Sequence, residues 1–157
     1  MAKKYYIAYG SNLNVKQMLH RCPNAEIFGA GELDDYELLF KGSKTGAYLT
    51  IEKKAGSKVP IGVWEVDATD EKALDRYEGY PSFYYKTDME VKVRKFSDDS
   101  EVTIKAFVYI MYEDRKMAVP SRAYTSICFE GFDDFDLDFK AVEIAYEKCL
   151  EASKHGN

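Results

Sequence analysis

The pattern of the chain predicts an α+β protein: a small, mixed, mostly antiparallel β-barrel flanked by helices. Three observations carry that expectation. Six or so strand-length runs alternate or turn fully apolar, while helical spacing is confined to short stretches at the ends and edges. Gly29 and Gly31 fall inside one strand-like run, where glycines mark the bulge or bend a barrel corner needs. From Ala106 to Tyr112 both faces of another run are apolar, which places it in the middle of a sheet or barrel.

Taken in order, Tyr5–Tyr9 is an aromatic, apolar strand that stops at Gly10-Ser11-Asn12, and Val15–His20 follows as a short helix that Asn12 or Asn14 can cap. After a Cys22-Pro23-Asn24 turn, residues 25–40 read as strand, 41–46 as a polar loop, and 48–52 as a short strand. A turn at 53–58 leads to a strong strand at 59–66, with Pro60 tolerable near its start. Thr69 is positioned to cap a helix that carries Asp70 and Glu71 in its first turn and ends at Gly79. Residues 84–96 and 102–112 form a hairpin about the Ser97–Ser100 turn. Ser121 caps a helix running to about Gly131, and Asp136 caps a last one on which Val142, Ala145, Tyr146, Cys149 and Leu150 recur. The length of 157 residues suits a single domain spanning 1–157.

Composition excludes several classes of function. A net charge of −5 with no basic block argues against a nucleic-acid surface. Cys22, Cys128 and Cys149 are dispersed and odd in number, which fits neither a disulfide framework nor metal-ligand spacing. With His20 and His155 the only imidazoles, no metal site is expected. The N-terminal apolar run is too short for a signal peptide or a membrane span, so the expectation is a soluble, cytoplasmic protein without membrane contact. Thirteen tyrosines stand out; they suit a cleft that is both apolar and hydrogen-bonding, and equally the faces of sheets.

Two elements carry chemistry. At Gly10–Leu13 a strand gives way to a helix, a geometry that presents free N–H groups suited to a carboxylate, a phosphate or a developing oxyanion. Gly10 would let a ligand approach the main chain closely. On the second helix, Leu74 and Glu78 are four residues apart and share a face. If Leu74 is core, Glu78 points inward at the helix's last turn, where burial and the carbonyl end of the dipole both raise a carboxyl pKa. The plain alternative is a surface glutamate at a frayed end.

Three strings carry a family resemblance. Tyr9-Gly10-Ser11-Asn12-Leu13 resembles the opening signature of the γ-glutamylcyclotransferase-like family. Arg76-Tyr77-Glu78-Gly79-Tyr80-Pro81 followed by Tyr84-Tyr85 is similar to its helix-ending Glu-Gly with a tyrosine beyond. Pro120-Ser121-Arg122-Ala123-Tyr124, continuing to Ile127 and Gly131, is similar to its Pro-Ser-x-x-Tyr helix. The segment 130–139 is more acidic and aromatic than the family pattern, which leaves its contact with substrate or a partner open. The resemblance implies a cofactor-free reaction in which the α-amine of a γ-glutamyl amide attacks its own side-chain carbonyl, releasing 5-oxoproline and an amine or amino acid. It implies Glu78 as general base and acid. Tyr9, Gly10, Ser11, Asn12, Leu13, Tyr84 and Tyr124 would be substrate-binding residues, with Tyr109 as a further wall. The leaving amine, a partner protein and the oligomeric state stay open.

The rival readings are a serine hydrolase with Ser11 and His20, a Cys22–His20 thiol pair, and a non-catalytic γ-glutamyl or small-carboxylate binding module. The first lacks the second glycine of a nucleophile elbow, and residues two apart on a helix face different ways.

Overall fold

In the computed structural model, which describes residues 2–43 and 46–154, the strands are β1 (Lys4–Ala8), β2 (Glu26–Ser43), β3 (Gly46–Val66), β4 (Tyr84–Lys95), β5 (Glu101–Met111) and β6 (Lys116–Met117). The helices are α1 (Val15–Arg21), α2 (Ala68–Glu78), α3 (Arg122–Asp134) and α4 (Lys140–Lys154), with a 3₁₀ turn at Ser11–Leu13. The sheet order is β3-β1-β5-β4-β2, and β2 pairs back on β3, so five strands close into a barrel with β6 appended to β2. Only β1 and β5 run parallel; every other pairing is antiparallel. The expected mixed, mostly antiparallel barrel with flanking helices is the observed one.

Closure rests on a bent β2. Its pairing with β3 slips between Ile27 and Gly29, and the bend lets Gly29–Gly31 reach Val93–Lys95 of β4. β5 is central, and Ala106–Met111 are buried throughout, as two covered faces require. Phe132 and Phe135 are buried in the core, Phe135 against Trp64. The acidic-aromatic segment therefore packs on the core: Phe129 and Phe132 meet Phe139, and Asp134 accepts from the Val15 amide at the start of α1.

Several local expectations are corrected. The turn at 53–58 does not end the strand: β3 pairs with β2 up to Lys53 and again from Lys58, and the polar residues between them lie on an exposed arm without a β2 pairing partner. The irregularity there is a bulge: pairing slips between Asp34 and Tyr36, and the Gly56 amide bonds the Asp35 carboxylate. The loop at 41–46 shrinks, since β2 reaches Ser43; positions 44–45 lie outside the described residues, as does His155. Asp67, not Thr69, caps α2, in a reciprocal capping box with Asp70. α3 runs past Gly131 to Asp134, and α4 starts at Lys140, whose amide bonds Asp138, leaving Asp136 in the turn between them. Of the two asparagines offered for α1, Asn14 is the cap, its side chain accepting from the Gln17 amide.

Candidate active site

The site lies where β1 ends, α2 ends and α3 begins. An inner chamber of about 30 Å³ is lined by Tyr6, Tyr9, Gly10, Ser11, Asn12, Leu49, Glu78, Tyr84, Tyr109 and Tyr124. It adjoins an outer chamber of about 310 Å³ that shares Ser11, Glu78, Tyr84 and Tyr124 and adds Tyr48, Arg76, Tyr77, Gly79 and Phe83. Seven of the eight candidate site residues thus line one cleft, together with Tyr109.

Leu13 is the exception. Its side chain is fully buried in the core and its amide donates to the Gly10 carbonyl (3.0 Å), closing the turn. The free donors of the turn are fewer than the sequence suggested. The Asn14 amide is taken by the Ser11 carbonyl, while the Ser11 and Asn12 amides make no hydrogen bond among the described residues. Gly10 has φ −134°, so a left-handed conformation is not what it supplies. It supplies space: a Cβ there would lie 3.3 Å from the Tyr124 hydroxyl and 3.4 Å from Leu49.

Asn12 is not a free ligand-binding side chain either. Its Nδ2 donates to the Tyr6 hydroxyl (2.9 Å), its Oδ1 accepts from Arg21 Nη1 (2.5 Å), and its carbonyl accepts from Trp64 Nε1 (2.9 Å). Its side chain and its carbonyl go into holding the turn, and its backbone amide is left over. Ser11 Oγ shares a 2.9 Å hydrogen bond with Tyr77 Oη, tying the turn to α2. His20 is exposed on α1 and makes no contact with Ser11 that would support a hydrolase. Cys22 is buried, with burial pushing its thiol up to about 12, and it donates to the Asp70 carbonyl, so it offers no thiolate.

The tyrosines are fixed by the way β3 is paired. β1 covers only Gly62–Val66 of β3, so that edge of the strand is uncovered near Leu49. Two tyrosine hydroxyls take the missing strand's place: Tyr124 accepts from the Leu49 amide (3.0 Å) and Tyr84 donates to the Leu49 carbonyl (2.9 Å). That leaves Tyr124 with a hydrogen to donate into the cleft and Tyr84 with lone pairs to accept. Tyr9 donates to the Tyr109 carbonyl (2.6 Å). Tyr109 in turn donates to Asp75 (2.6 Å), and Lys86 braces Asp75 (2.9 Å). Burial raises the pKa of Tyr6, Tyr9, Tyr84 and Tyr124 well above the usual phenol value, so all four stay protonated.

Glu78 is the last residue of α2, whose face is fixed by fully buried Leu74. Gly79 ends the helix at φ 64°, where its amide returns to Arg76 and Asp75. The Glu78 carboxyl makes no hydrogen bond or ion pair among the described residues. Burial raises its pKa to about 7, opposed by the positive charge of Arg21. A carboxyl group divided between its two forms at neutrality, among protonated hydroxyls, can take and return a proton. Among the described residues no cluster of His, Cys, Asp and Glu could hold a metal ion, and no helix is long and apolar enough to cross a membrane.

Sequence reasoning missed Tyr6, Leu49, Tyr48, Phe83 and Arg21. Tyr6 alternates with Tyr5 on β1, and its inward face was legible; Arg21 carried no local signal, since its role depends on α2 lying beside α1.

The same arrangement has relatives. Residues 6–126 match the family model described as gamma-glutamyl cyclotransferase, AIG2-like. A human gamma-glutamylcyclotransferase is 34% identical over 154 residues, covering 94% of this chain and 77% of the relative, and the Bos taurus protein of that name is 31% identical over the same shares. A solved structure titled gamma-glutamyl cyclotransferase superposes with a TM-score of 0.73 at 29% identity, over 95% of this chain and 87% of that one. With that match spanning the anchor turn, the end of α2 and the start of α3, the chain belongs to the gamma-glutamyl cyclotransferase, AIG2-like family.

Proposed function

We propose that this protein is a γ-glutamyl cyclotransferase, converting a γ-glutamyl amide into 5-oxoproline and a free amine or amino acid. The observation that carries the reading is the Glu78 carboxyl, unpaired and half-ionised near neutrality, in a tyrosine-walled cleft against the Ser11–Asn12 amides. The substrate enters with its α-nitrogen as ammonium. Glu78 as carboxylate takes one proton, and the neutral amine attacks the γ-carbonyl carbon, forming the ring C–N bond. Negative charge grows on the carbonyl oxygen, where the two free amides and the Tyr124 hydroxyl are suited to receive it. Glu78 passes its proton to the departing nitrogen and the old amide C–N bond breaks. A second proton follows by the same carboxyl, so the ammonium loses two hydrogens and the leaving nitrogen gains two. No redox partner is needed. The walls contribute by holding the flexible glutamyl chain folded for ring closure.

This reading makes the protein cofactor-independent and cytoplasmic, in keeping with three dispersed, buried, unpaired cysteines. The test is 5-oxoproline release from a panel of γ-glutamyl compounds: γ-glutamyl α-amino acids, γ-glutamyl-ε-lysine and γ-glutamyl polyamines, each run beside Glu78→Gln. Product from at least one compound, lost in the variant, supports the reading. Tight binding of a γ-glutamyl ligand without product from any of them would reduce the protein to a binding module.

A further inference from the structure

Arg21 touches two parts of the site without lining it. It sits in the last turn of α1 and is half-buried. Its Nη1 donates to Asn12 Oδ1 (2.5 Å), its Nη2 reaches Gln17 Oε1 (3.4 Å), and its guanidinium carbon lies 3.5 Å from the centre of the Tyr77 ring. Tyr77 passes the contact on through its hydroxyl to Ser11. One planar cation therefore grips the side chain that shapes the anchor turn and, on its face, the residue preceding Glu78. Lysine would not reproduce this, because stacking and in-plane hydrogen bonding at once require the guanidinium plane.

We propose that Arg21 is a positioning residue for the cyclisation: it locks the Ser11–Asn12 turn to the end of α2 and supplies the positive field under which Glu78 ionises. The inference rests on Glu78 being the proton carrier. The groups facing Glu78 are Tyr6 and Tyr9 from β1, Tyr84 from β4, Tyr109 from β5, Tyr124 from α3, and Arg76 and Tyr77 from its own helix. Burial keeps Tyr6, Tyr9, Tyr84, Tyr109 and Tyr124 neutral across the working range, and Asp75 and Lys86 behind Tyr109 are paired with each other. Arg21 is the cation whose charge opposes the burial of Glu78. Without it, burial acts alone, Glu78 holds its proton to higher pH, and less carboxylate is present at neutrality to accept the substrate's proton.

The experiment compares wild type, Arg21→Gln, Arg21→Lys and Glu78→Gln. For each, the pH profile of kcat/KM for 5-oxoproline release is measured on the best γ-glutamyl substrate, with the Glu78 carboxyl followed by ¹³C NMR in glutamate-labelled protein. Wild type should show an acid limb near pH 7, the value to which burial raises Glu78. In Arg21→Gln, which can still donate to Asn12, the limb and the ¹³C titration move together to higher pH, and most of the rate returns on the alkaline side. In Arg21→Lys the charge remains and the limb stays in place, while KM rises because the turn is no longer clamped to Tyr77. An unmoved limb and an unmoved ¹³C titration in Arg21→Gln overturn the proposal. If the Gln variant does not fold, Arg21→Lys decides alone: a raised KM on the parental limb supports the proposal, and parental KM overturns it. Failure of the underlying reading looks different, as wild type would then release no 5-oxoproline or Glu78→Gln would keep both turnover and limb.

Discussion

At its start, helix α2 gives its glutamate donors on both oxygens, although Asp70 keeps one oxygen buried without a partner among the described residues and burial raises its pKa. Asp67 accepts from the Asp70 amide and Asp70 answers to the Asp67 amide, Glu71 pairs with Lys86 (2.7 Å) and Lys4 (3.0 Å), and one turn on Asp75 takes Lys86 and the Tyr109 hydroxyl. At its end, Glu78 has no donor at all among the described residues. The two glutamates divide accordingly. Burial disfavours the Glu71 anion, but hydrogen bonds from Lys86 and Lys4 outweigh it and leave the value below normal; for Glu78 burial prevails over Arg21 and the value rises to about 7. The same side-chain type on one eleven-residue helix is thus held by donors at one end and left without them at the other, the contrast on which the proton-transfer role proposed for Glu78 rests. What separates the two is the supply of donors.

The largest effect expected from this comparison is on turnover. Glu78→Gln keeps the shape of the side chain but cannot carry a proton, so 5-oxoproline release should fall by about 10²–10⁴-fold. Affinity for a γ-glutamyl ligand, measured by calorimetry, should stay near wild type. Glu78→Asp should fail as well, since its carboxyl is one methylene short of the reacting nitrogen. Near-wild-type turnover in Glu78→Gln would erase the functional half of the comparison.

The next effect is on stability, and its sign differs between the two glutamates. A folded-state pKa raised from 4.5 to about 7 means the native protein binds the Glu78 proton where the unfolded chain has lost it. Stability therefore falls as pH rises from about 4.5 to about 7 and levels off above. The ceiling of that loss is about 3 kcal/mol, lowered by the solvent that reaches part of the side chain. Denaturant melts of wild type and Glu78→Gln across this range should converge near pH 4.5 and separate towards pH 8, the variant being the more stable. Equal curves at every pH would mean that Glu78 turns out to solvent, the surface-glutamate alternative.

This division of labour was half legible in the sequence. The Leu74–Glu78 spacing placed Glu78 inward because helical period is local information, and the Gly79 stop fixed it at the helix end. The tyrosines of the cleft were legible as strand and helix residues of the right face, and three of them stand where the motifs put them. The supply of donors was not legible. Lys86 comes from β4, Lys4 from β1 and Arg21 from α1, each brought to α2 by tertiary packing. The cap was misjudged for a related reason: Thr69 and Asp67 are both good caps, and the reciprocal pair with Asp70 decides between them. Likewise the 53–58 turn was read from polar composition; β2 pairs with Lys53 and Lys58 at its two ends, and the four residues between them bulge out opposite Asp35. Leu13 was assigned to the ligand because it belongs to the anchor string. Its amide is consumed by the turn it helps to form.

The smallest effect, and the sharpest control, comes from making the identical substitution at Glu71, near the other end of the same helix. Glu71→Gln removes the pairs to Lys86 and Lys4 but leaves Lys86 its second partner, Asp75. The Lys4 side chain is largely exposed, and the Lys86 pair is only partly shielded, so the loss at neutral pH should be about 1 kcal/mol or less. The sign of its pH dependence is opposite to that of Glu78. A lowered folded-state pKa contributes stability that is present above the unfolded value near 4.5 and is lost as pH falls through the folded value. Wild type and Glu71→Gln should therefore differ at pH 7 and converge in acid, whereas wild type and Glu78→Gln converge near pH 4.5 from the other direction. Turnover should be unchanged, because Glu71 does not line the cleft and the Lys86–Asp75–Tyr109 brace survives. A Glu71→Gln variant that loses turnover while keeping its melting temperature would show that the paired end of α2 also takes part in the chemistry, and the contrast between the two ends would no longer hold.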